Sequence, residues 1–275
     1  MEVENLRFEL PEKAPMVIIE TRLNCEGPFK FLVDTGSSVT VITKETVEAL
    51  GFQEKLSDLK KGSIGCCSST LVNIGAIQVD DVEAKAVPVV LGNLSTISNE
   101  IGTHIDGIIG ATLMKNYKVT IDFPKQEIFF EQLSQGKESS GRVPFIFVEV
   151  VVNRRGPFNF LVDTGASITT ITKHTSEALG LYEKARGRRR ALSGSFAGVA
   201  MTLAKAECIQ VGDAKAKDVD VGLHDLTPLS NMMGTPVDGI LGYNFMKDYR
   251  VVINYPQQEV SFVRACGNDS EVRDT

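Results

Sequence analysis

A long block of sequence that occurs twice is the feature that most constrains this chain. Gly27 to Gly51 and Gly156 to Gly180 share the frame GPFxFLVDTGxSxTxITKxTxEALG and differ only at the positions marked x. A second block, which begins DGIIG at Asp106, recurs as DGILG at Asp238. Long blocks that are present only twice indicate a duplicated domain rather than a solenoid of many small units.

The length of the chain and the segment between the copies predict where one domain ends and the next begins. A chain of 275 residues has room for two domains of ordinary size. The run GKESSGR, from Gly136 to Arg142, is polar and flanked by glycine, which is typical of a linker. We therefore predict one domain over residues 1–139 and a second over residues 140–275.

Short apolar segments rich in valine, isoleucine, phenylalanine and threonine predict a chain made mostly of β-strands. In the first copy these are MVIIETRL, FKFLVDT and VTVIT, followed after a glycine-punctuated middle by KVTIDF and EIFFE. Helix signals are few: Lys44–Leu50 and Lys173–Leu179 carry apolar residues three apart, with a glycine directly after. The expected fold class is all-β, with a small barrel and one or two short helices in each copy.

Charge and composition argue against several classes of partner. The excess of 35 acidic over 29 basic residues, a net charge of −6, would repel a nucleic-acid backbone. No apolar run reaches the ~20 residues that span a bilayer, and the amino terminus lacks the basic and apolar regions of a secretory signal. The five cysteines have no metal-ligand spacing and fit a reducing compartment. We expect a cytoplasmic protein with no nucleic-acid or membrane partner.

The repeated turn places an acidic residue at the end of a strand that should be buried. Asp34 follows Phe31 to Val33, and Asp163 follows Phe160 to Val162. A buried carboxylate is unfavourable unless hydrogen bonds or a shared proton compensate it. A single Asp-Thr-Gly is more simply an ordinary turn after a strand, but its presence in both copies favours a paired site.

The residues after each aspartate have properties that suit such a site. Gly36 and Gly165 have no Cβ, so backbone N–H groups can approach the carboxylates. Thr35 and Thr164 carry hydroxyls that can hydrogen-bond across to the other copy. The sequence therefore predicts that the two turns face each other.

With both blocks in register, the chain resembles the aspartic protease family, and in particular two retropepsin-type domains fused in one polypeptide. The residues that carry the resemblance are Asp34-Thr35-Gly36-Ser37-Ser38, Asp163-Thr164-Gly165-Ala166-Ser167, Ile108-Ile109-Gly110 and Ile240-Leu241-Gly242. The resemblance implies two retropepsin-like (acid protease) β-barrels in a pseudo-twofold arrangement. It also implies that the apolar-apolar-Gly elements pack behind the catalytic loops.

The function that the resemblance implies is an aspartic endopeptidase. Asp34 and Asp163 would share one proton and activate a water in a cleft between the halves, with no metal or cofactor. The active-site loops would be formed by Thr35, Gly36, Ser37, Thr164, Gly165 and Ala166. The expected partner is a peptide or protein substrate, and the expected assembly is a monomer that contains an internal pseudo-dimer.

One difference between the copies bears on the two carboxyl groups. Ser37 can offer a hydroxyl to its aspartate, whereas Ala166 at the equivalent position cannot. A hydrogen bond to the charged form lowers the pKa of a carboxyl group. We therefore expect Asp34 to be the more readily ionised member of the pair.

The resemblance further implies glycine-rich flaps that close over a bound peptide. The segments GSIG and GSFA correspond in the two copies, and the expected substrate-binding tips are Ile64, Gly65, Phe196 and Ala197. An ordinary hairpin turn of small residues is the alternative. The two cysteines that follow GSIG, and the difference between the two segments, depart from the family pattern.

Other polar features have simpler explanations than a role in chemistry. Asp106 and Asp238 could suggest a site of four carboxylates, but we expect them to hydrogen-bond the turn into the following short helix. The basic run Arg186–Arg190 could select acidic substrate side chains or bind a polyanion, although a solvated loop is the simpler expectation. The histidines lack the pairing of a zinc or thiol peptidase.

Two alternatives remain open at the level of sequence. The chain could be a peptide-binding pseudoprotease or scaffold that keeps the cleft without turnover, although Asp-Thr-Gly is intact in both copies. The halves could also pair with the halves of another chain, which would make an obligate dimer.

Overall fold

The computed structural model describes six segments of the chain, and the elements named below lie in them. The segments are residues 6–51, 61–64, 67–133, 145–182, 188–190 and 200–264. The predicted linker and domain boundary fall between the third and fourth segments, outside the described residues, so the boundary stays a prediction.

The first half contains ten strands and three short helices in its described part. The strands are β1 (Leu6–Arg7), β2 (Ile18–Leu23), β3 (Glu26–Val33), β4 (Val41–Ile42), β5 (Lys61–Ile64), β6 (Cys67–Val79), β7 (Val82–Leu91), β8 (Gly107–Ile109), β9 (Tyr117–Asp122) and β10 (Glu127–Gln132). The helices are α1 (Lys44–Ala49), α2 (Ser95–Ile101) and α3 (Ala111–Met114).

The second half repeats this order. Its strands are β11 (Phe147–Val152), β12 (Arg155–Val162), β13 (Thr170–Thr172), β14 (Arg188–Arg190), β15 (Ala200–Val211), β16 (Ala214–His224), β17 (Gly239–Leu241), β18 (Tyr249–Asn254) and β19 (Glu259–Arg264). Its helices are α4 (Lys173–Ala178), α5 (Thr227–Met233) and α6 (Tyr243–Met246). The all-β prediction with short helices is confirmed.

Each half forms a closed barrel. The first sheet has the strand order β2-β3-β8-β4-β7-β6-β5, and a further pairing of β2 with β6 closes six of these strands on themselves. The second sheet has the order β11-β12-β17-β13-β16-β15-β14 and is closed by β11 with β15. In both barrels the strand that leads into the aspartate runs parallel to the short strand of the apolar-apolar-Gly element. This pairing positions the candidate site.

A third sheet joins the two halves. The segments KVTIDF and EIFFE were predicted to be strands, but the sequence did not indicate which strands they pair with. They form β9 and β10, which lie with β18 and β19 in a five-stranded sheet of order β1-β10-β9-β18-β19. Apolar alternation identifies a strand that buries one face, but it does not say which strand is the partner.

The junction of this shared sheet is the antiparallel pair β9 and β18. Thr120 pairs with Val252, its own equivalent in the other copy, so the pseudo-twofold axis passes through this point. On one side of the axis Asp122, which is buried, lies 3.6 Å from Arg250, measured from Oδ2 to Nε. On the other side Lys118 pairs with Asn254, so the junction is not chemically symmetric.

The two predicted helices are present and have the expected ends. Thr43 caps α1 by accepting a hydrogen bond from the N–H of Thr46, and Thr172 caps α4 in the same way. The glycines that follow, Gly51 and Gly180, have φ values of +76° and +67°. Glycine adopts this left-handed conformation readily, so it ends each helix where the sequence predicted.

Helices α2 and α5 were not predicted, and part of the basic run was interpreted wrongly. Both helices have only seven residues, which is about two turns and too short for a periodic pattern to stand out in the sequence. The last three residues of the run Arg186–Arg190 form strand β14, which pairs with Ala200–Thr202, rather than a loop. Among the described residues, no helix has the length and apolar character that crossing a bilayer requires.

Candidate active site

The two aspartates stand at equivalent points of the two barrels, directly after β3 and β12. Each is held by the neighbouring short strand: the N–H of Asp34 donates to the carbonyl of Ile109 at 3.0 Å, and the N–H of Asp163 donates to the carbonyl of Leu241 at 3.1 Å. The apolar-apolar-Gly elements therefore lie directly beside the aspartate loops. This is the packing that the resemblance implied.

The structure brings Asp34 and Asp163 together in one buried pair. The two residues are 3% and 4% exposed, and each carboxyl group lies close enough to the other to affect its pKa. Each also accepts a bond from its own loop, at 2.9 Å from the N–H of Gly36 to Asp34 and at 2.8 Å from the N–H of Gly165 to Asp163. One carboxyl group from each half therefore meets at the interface of the barrels.

The glycines of the two turns make this approach possible. A Cβ on Gly36 would lie 2.5 Å from Cγ of Asp163, and a Cβ on Gly165 would lie 2.5 Å from Cγ of Asp34. Heavy atoms cannot approach that closely without displacement of the backbone or the carboxyl group. The absence of a Cβ in each half thus leaves room for the carboxyl group of the other half. This steric reason for the glycines adds to the one given from the sequence, which was access of backbone N–H groups to the carboxylates.

The threonines of the two turns hydrogen-bond across the interface, as predicted. Thr35 Oγ1 donates to the carbonyl of Val162 at 2.8 Å and accepts from the N–H of Thr164 at 3.0 Å. Thr164 Oγ1 makes the reciprocal bonds, at 2.7 Å to the carbonyl of Val33 and at 3.1 Å from the N–H of Thr35. These four buried bonds fix the position of one aspartate loop relative to the other.

We expect Thr35→Val to destabilise the protein by about 2–4 kcal/mol, because the buried carbonyl of Val162 and the N–H of Thr164 would each lose a partner. Urea denaturation measures the change in the free energy of unfolding. Thr35→Ser keeps the hydroxyl and serves as the matched control, which should lose much less. Equal losses in the two variants would show that packing of the methyl group, rather than the hydrogen bonds, holds the interface.

Burial sets the acidity of the paired carboxyl groups. Loss of solvation raises the pKa of Asp34 and raises that of Asp163 further, because the neighbouring charge of Asp34 adds to the effect of burial. Backbone N–H groups at Gly36 and Ser37 oppose the rise at Asp34. The pair therefore keeps one proton at a pH where an exposed aspartate has lost its own, and the two groups titrate as a unit.

These raised pKa values predict a pH-dependent stability. In the folded state the pair binds protons more tightly than in the unfolded state, so the pair's contribution to stability is complete below the usual aspartate pKa of about 4. This contribution is lost as the pH rises through the raised value. Asp163→Asn removes one titrating group, so we expect the variant to gain stability relative to the parent between about pH 4 and pH 7. Urea unfolding over this range would contradict the expectation if the two proteins lost stability in parallel.

The reason given from the sequence for the acidity of Asp34 was wrong. The hydroxyl of Ser37 donates to the carbonyl of Val39 at 2.9 Å, not to the carboxyl group of Asp34. The equivalent Ala166 is completely buried. The contribution of Ser37 to the pair comes from its backbone N–H, which the sequence difference between the copies does not affect.

Asp106 and Asp238 lie away from the pair and hold other elements together. Oδ2 of each accepts from a backbone N–H of the strand that leads to the aspartate, at 2.8 Å from Lys30 and at 2.9 Å from Asn159. Oδ1 of each accepts from the hydroxyl of the threonine in α1 or α4, which is Thr46 or Thr175. Their role is structural, as expected, but the partners are a strand and the earlier helix rather than the following helix. In the described part of the chain no cluster of His, Cys, Asp and Glu is arranged to hold a metal.

The predicted flap tips can be placed only in part. Ile64 ends β5, and its backbone pairs with that of Cys67, which begins β6. Gly65, Phe196 and Ala197 lie outside the described residues. The assignment of the flaps stays a prediction.

Sequence reasoning missed one buried group near the pair. Tyr255 is 1% exposed, and its hydroxyl donates to the sulfur of Met114 in the other half at 3.6 Å. Burial and the charges of Asp34 and Asp163 raise the pKa of this phenol, so it stays neutral. The sequence did contain one sign of this group: Tyr255 in the second copy stands where the first copy has Phe123, within otherwise similar blocks.

Comparison with known proteins identifies the family of this chain. A family model described as aspartyl protease matches residues 19–113 and 148–245, one segment in each barrel and together most of the chain. The chain belongs to the aspartyl protease family, and each half carries one of the two matched segments. Matching solved structures include a retropepsin-like aspartic protease from Rickettsia conorii, at 23% identity and a TM-score of 0.33, covering 46% of this chain and 87% of that one. No curated protein matches.

Proposed function

We propose that this protein is an aspartic endopeptidase that hydrolyses peptide bonds with Asp34, Asp163 and an activated water. The observation that carries the proposal is the buried pair of carboxyl groups, one from each half, each of which lies against the aspartate loop of the other half. Two carboxylates this close cannot both ionise easily, so they share one proton. The pair then offers a base and an acid in the same place.

In the first step the ionised carboxylate acts as the general base. It takes a proton from a water that attacks the carbonyl carbon of the scissile peptide bond, and the protonated carboxyl group donates its proton to the carbonyl oxygen. We propose Asp34 as the base and Asp163 as the acid, because the charge of Asp34 adds to burial in raising the pKa of Asp163. The product of this step is a neutral tetrahedral diol.

In the second step the roles reverse. The base returns a proton to the leaving nitrogen, the C–N bond breaks, and the carboxyl group that lost its proton recovers one from the diol. The products are a carboxylic acid and an amine, and the pair again holds one proton. Activity should therefore fall at low pH, where both groups are protonated, and at high pH, where both are ionised.

The surrounding residues support the pair rather than react. Thr35 and Thr164 hold the two loops in register, and Gly36 and Gly165 admit the carboxyl groups. We further propose that the substrate is a peptide or protein segment bound between the halves, beneath the predicted flaps. The protein would be a monomer, since one chain supplies both aspartates. It would act in the cytoplasm.

The proposal is tested by incubating the purified protein with a peptide library from acidic to neutral pH. We expect cleavage within peptides, detected by mass spectrometry, and its loss when the transition-state mimic pepstatin is added. Sedimentation of the same sample reports the assembly. Cleavage confined to a dimeric fraction would contradict the monomer.

The same experiment separates the peptidase from a peptide-binding scaffold. A scaffold would bind peptides or pepstatin without producing new termini at any pH. Binding without cleavage, in a protein whose pair is intact, would overturn the proposal.

A further inference from the structure

A cavity of about 510 Å³ opens on the surface of the second half, between the start of α4, helix α5 and the segment that leads into β17. The polar side chains that line it include those of Lys173, His174, Asp225, Thr227, Thr235 and Asp238. Asp238 precedes β17, while Leu241 at the far end of this strand contacts Asp163. At about 3.3 Å per residue, the strand places the cavity about 10 Å from the buried pair. The cavity is therefore separate from the candidate active site.

The first half shows what can bind to the carboxylate in this position. There the segment GTHID leads into β8, and Nε2 of His104 lies 3.2 Å from Oδ1 of Asp106. The second half reads GTPVD, with Pro236 at the position of His104. Proline has no side-chain nitrogen donor, so the bond made by His104 has no equivalent at Pro236. Asp238 Oδ1 accepts from Thr175 Oγ1 at 3.4 Å and keeps capacity for a further donor.

A second difference between the halves adds negative charge to the same cavity. Asn93 in the first half accepts a hydrogen bond from the N–H of Ser95 at 2.9 Å, and Asp225 accepts the equivalent bond from Thr227 at 2.9 Å. Asparagine and aspartate perform this structural task equally, so the charge of Asp225 is not needed for the turn. Hydrogen bonds from Thr227 lower the pKa of Asp225, which keeps it ionised.

Basic residues also stand near these two carboxylates, and the charge of His224 contributes to the lowered pKa of Asp225. Lys173 Nζ lies 3.7 Å from Glu177 Oε1 and 5.2 Å from the ring centroid of Tyr182, so its charge is already compensated by neighbours outside the cavity. His174, at the position of Glu45 in the first half, is the other basic side chain of the lining.

We propose that this cavity binds a compact planar nitrogen cation, an imidazolium or guanidinium group, which supplies to Asp238 the donor that His104 supplies in the first half. The volume is in the range of small-molecule sites. A guanidinium can donate to more than one carboxylate oxygen, which suits a lining that contains two carboxylates. The same chemistry could come from a free small molecule or from a basic side chain of a peptide.

The test is titration calorimetry of the full chain with free arginine, imidazole, and a blocked neutral peptide that contains one arginine. We expect binding of the cations, at least about tenfold weaker in Asp225→Asn. Pro236→His should abolish it, because the new imidazole would occupy the site from within the chain. Asp213→Asn, an exposed turn residue in the same half, is the matched control and should bind as the parent does.

The outcomes distinguish the ligand and its source. Binding of the peptide as well as free arginine assigns the site to a side chain, and binding of free arginine alone assigns it to a small molecule. Equal binding by the parent, Asp225→Asn and Pro236→His would overturn the proposal, as would binding of orthophosphate in place of the cations. If Pro236→His does not fold, Asp225→Asn still decides. Because calorimetry measures binding to the cavity, a failure of this proposal can be distinguished from an absence of peptidase activity.

Discussion

Asp34→Asn and Asp163→Asn should each reduce peptide hydrolysis on the order of 10³-fold while leaving the protein folded. The amide has nearly the same shape as the carboxyl group and can still accept the hydrogen bond from Gly36 or Gly165. The amide cannot take up or release a proton between acidic and neutral pH. Because the two carboxyl groups act as one pair, the double variant should be scarcely less active than either single variant.

The controls for these variants are exposed aspartates in turns, one in each half. Asp80→Asn and Asp213→Asn change the net charge by the same amount at positions far from the pair, so their kcat/KM should match that of the parent. Circular dichroism and urea unfolding establish that the active-site variants are folded. A folded Asp34→Asn or Asp163→Asn protein that keeps most of its activity would refute a shared pair.

Gly36→Ala and Gly165→Ala should reduce peptide hydrolysis as much as the two asparagine variants do. They should also weaken the junction of the halves. The added methyl group would lie 2.5 Å from Cγ of the opposite aspartate, so the carboxyl group or the backbone must move. Such overpacking in a buried interface typically costs about 1–3 kcal/mol of stability. We therefore expect a lower urea midpoint together with loss of peptide cleavage.

Gly51→Ala separates this steric effect from the general consequence of replacing a glycine. Gly51 has a φ of +76°, and a Cβ there would meet no atom within 4 Å. The left-handed conformation alone costs alanine about 1 kcal/mol, and the site should keep its full activity. If Gly36→Ala behaved like Gly51→Ala in both respects, the close approach of the two turns would be disproved.

The repeated motifs made much of the site predictable. Two copies of Asp-Thr-Gly after apolar strands indicated that Asp34 and Asp163 form a pair and that Thr35 and Thr164 bond across it. The threonine caps and terminal glycines of α1 and α4 gave equally local signals. In each case the interacting residues can be identified from the sequence, because they are close together in the chain or occur in both copies.

What the sequence did not predict depends on partners that are distant in the chain. β9 and β18 look like ordinary strands, and nothing in their alternation reveals that they pair with each other. The hydroxyl of Ser37 had two acceptors within reach, and composition could not decide between Asp34 and Val39. Tyr255 differed from Phe123 by one oxygen, whose position beneath the pair becomes visible only when the two halves are packed together.

The strand pair β9 and β18 has a consequence for how the protein can evolve. Covalent connection keeps each half opposite the same companion at an effective local concentration of about millimolar or more, so the encounter of the two aspartates does not depend on dilution. A mutation in one half therefore has to be compatible with only one partner surface, that of the other half of the same chain. Different residues can then occupy equivalent positions in the two halves: Asp122 pairs with Arg250 on one side of the axis, and the equivalent Asn254 pairs with Lys118 on the other.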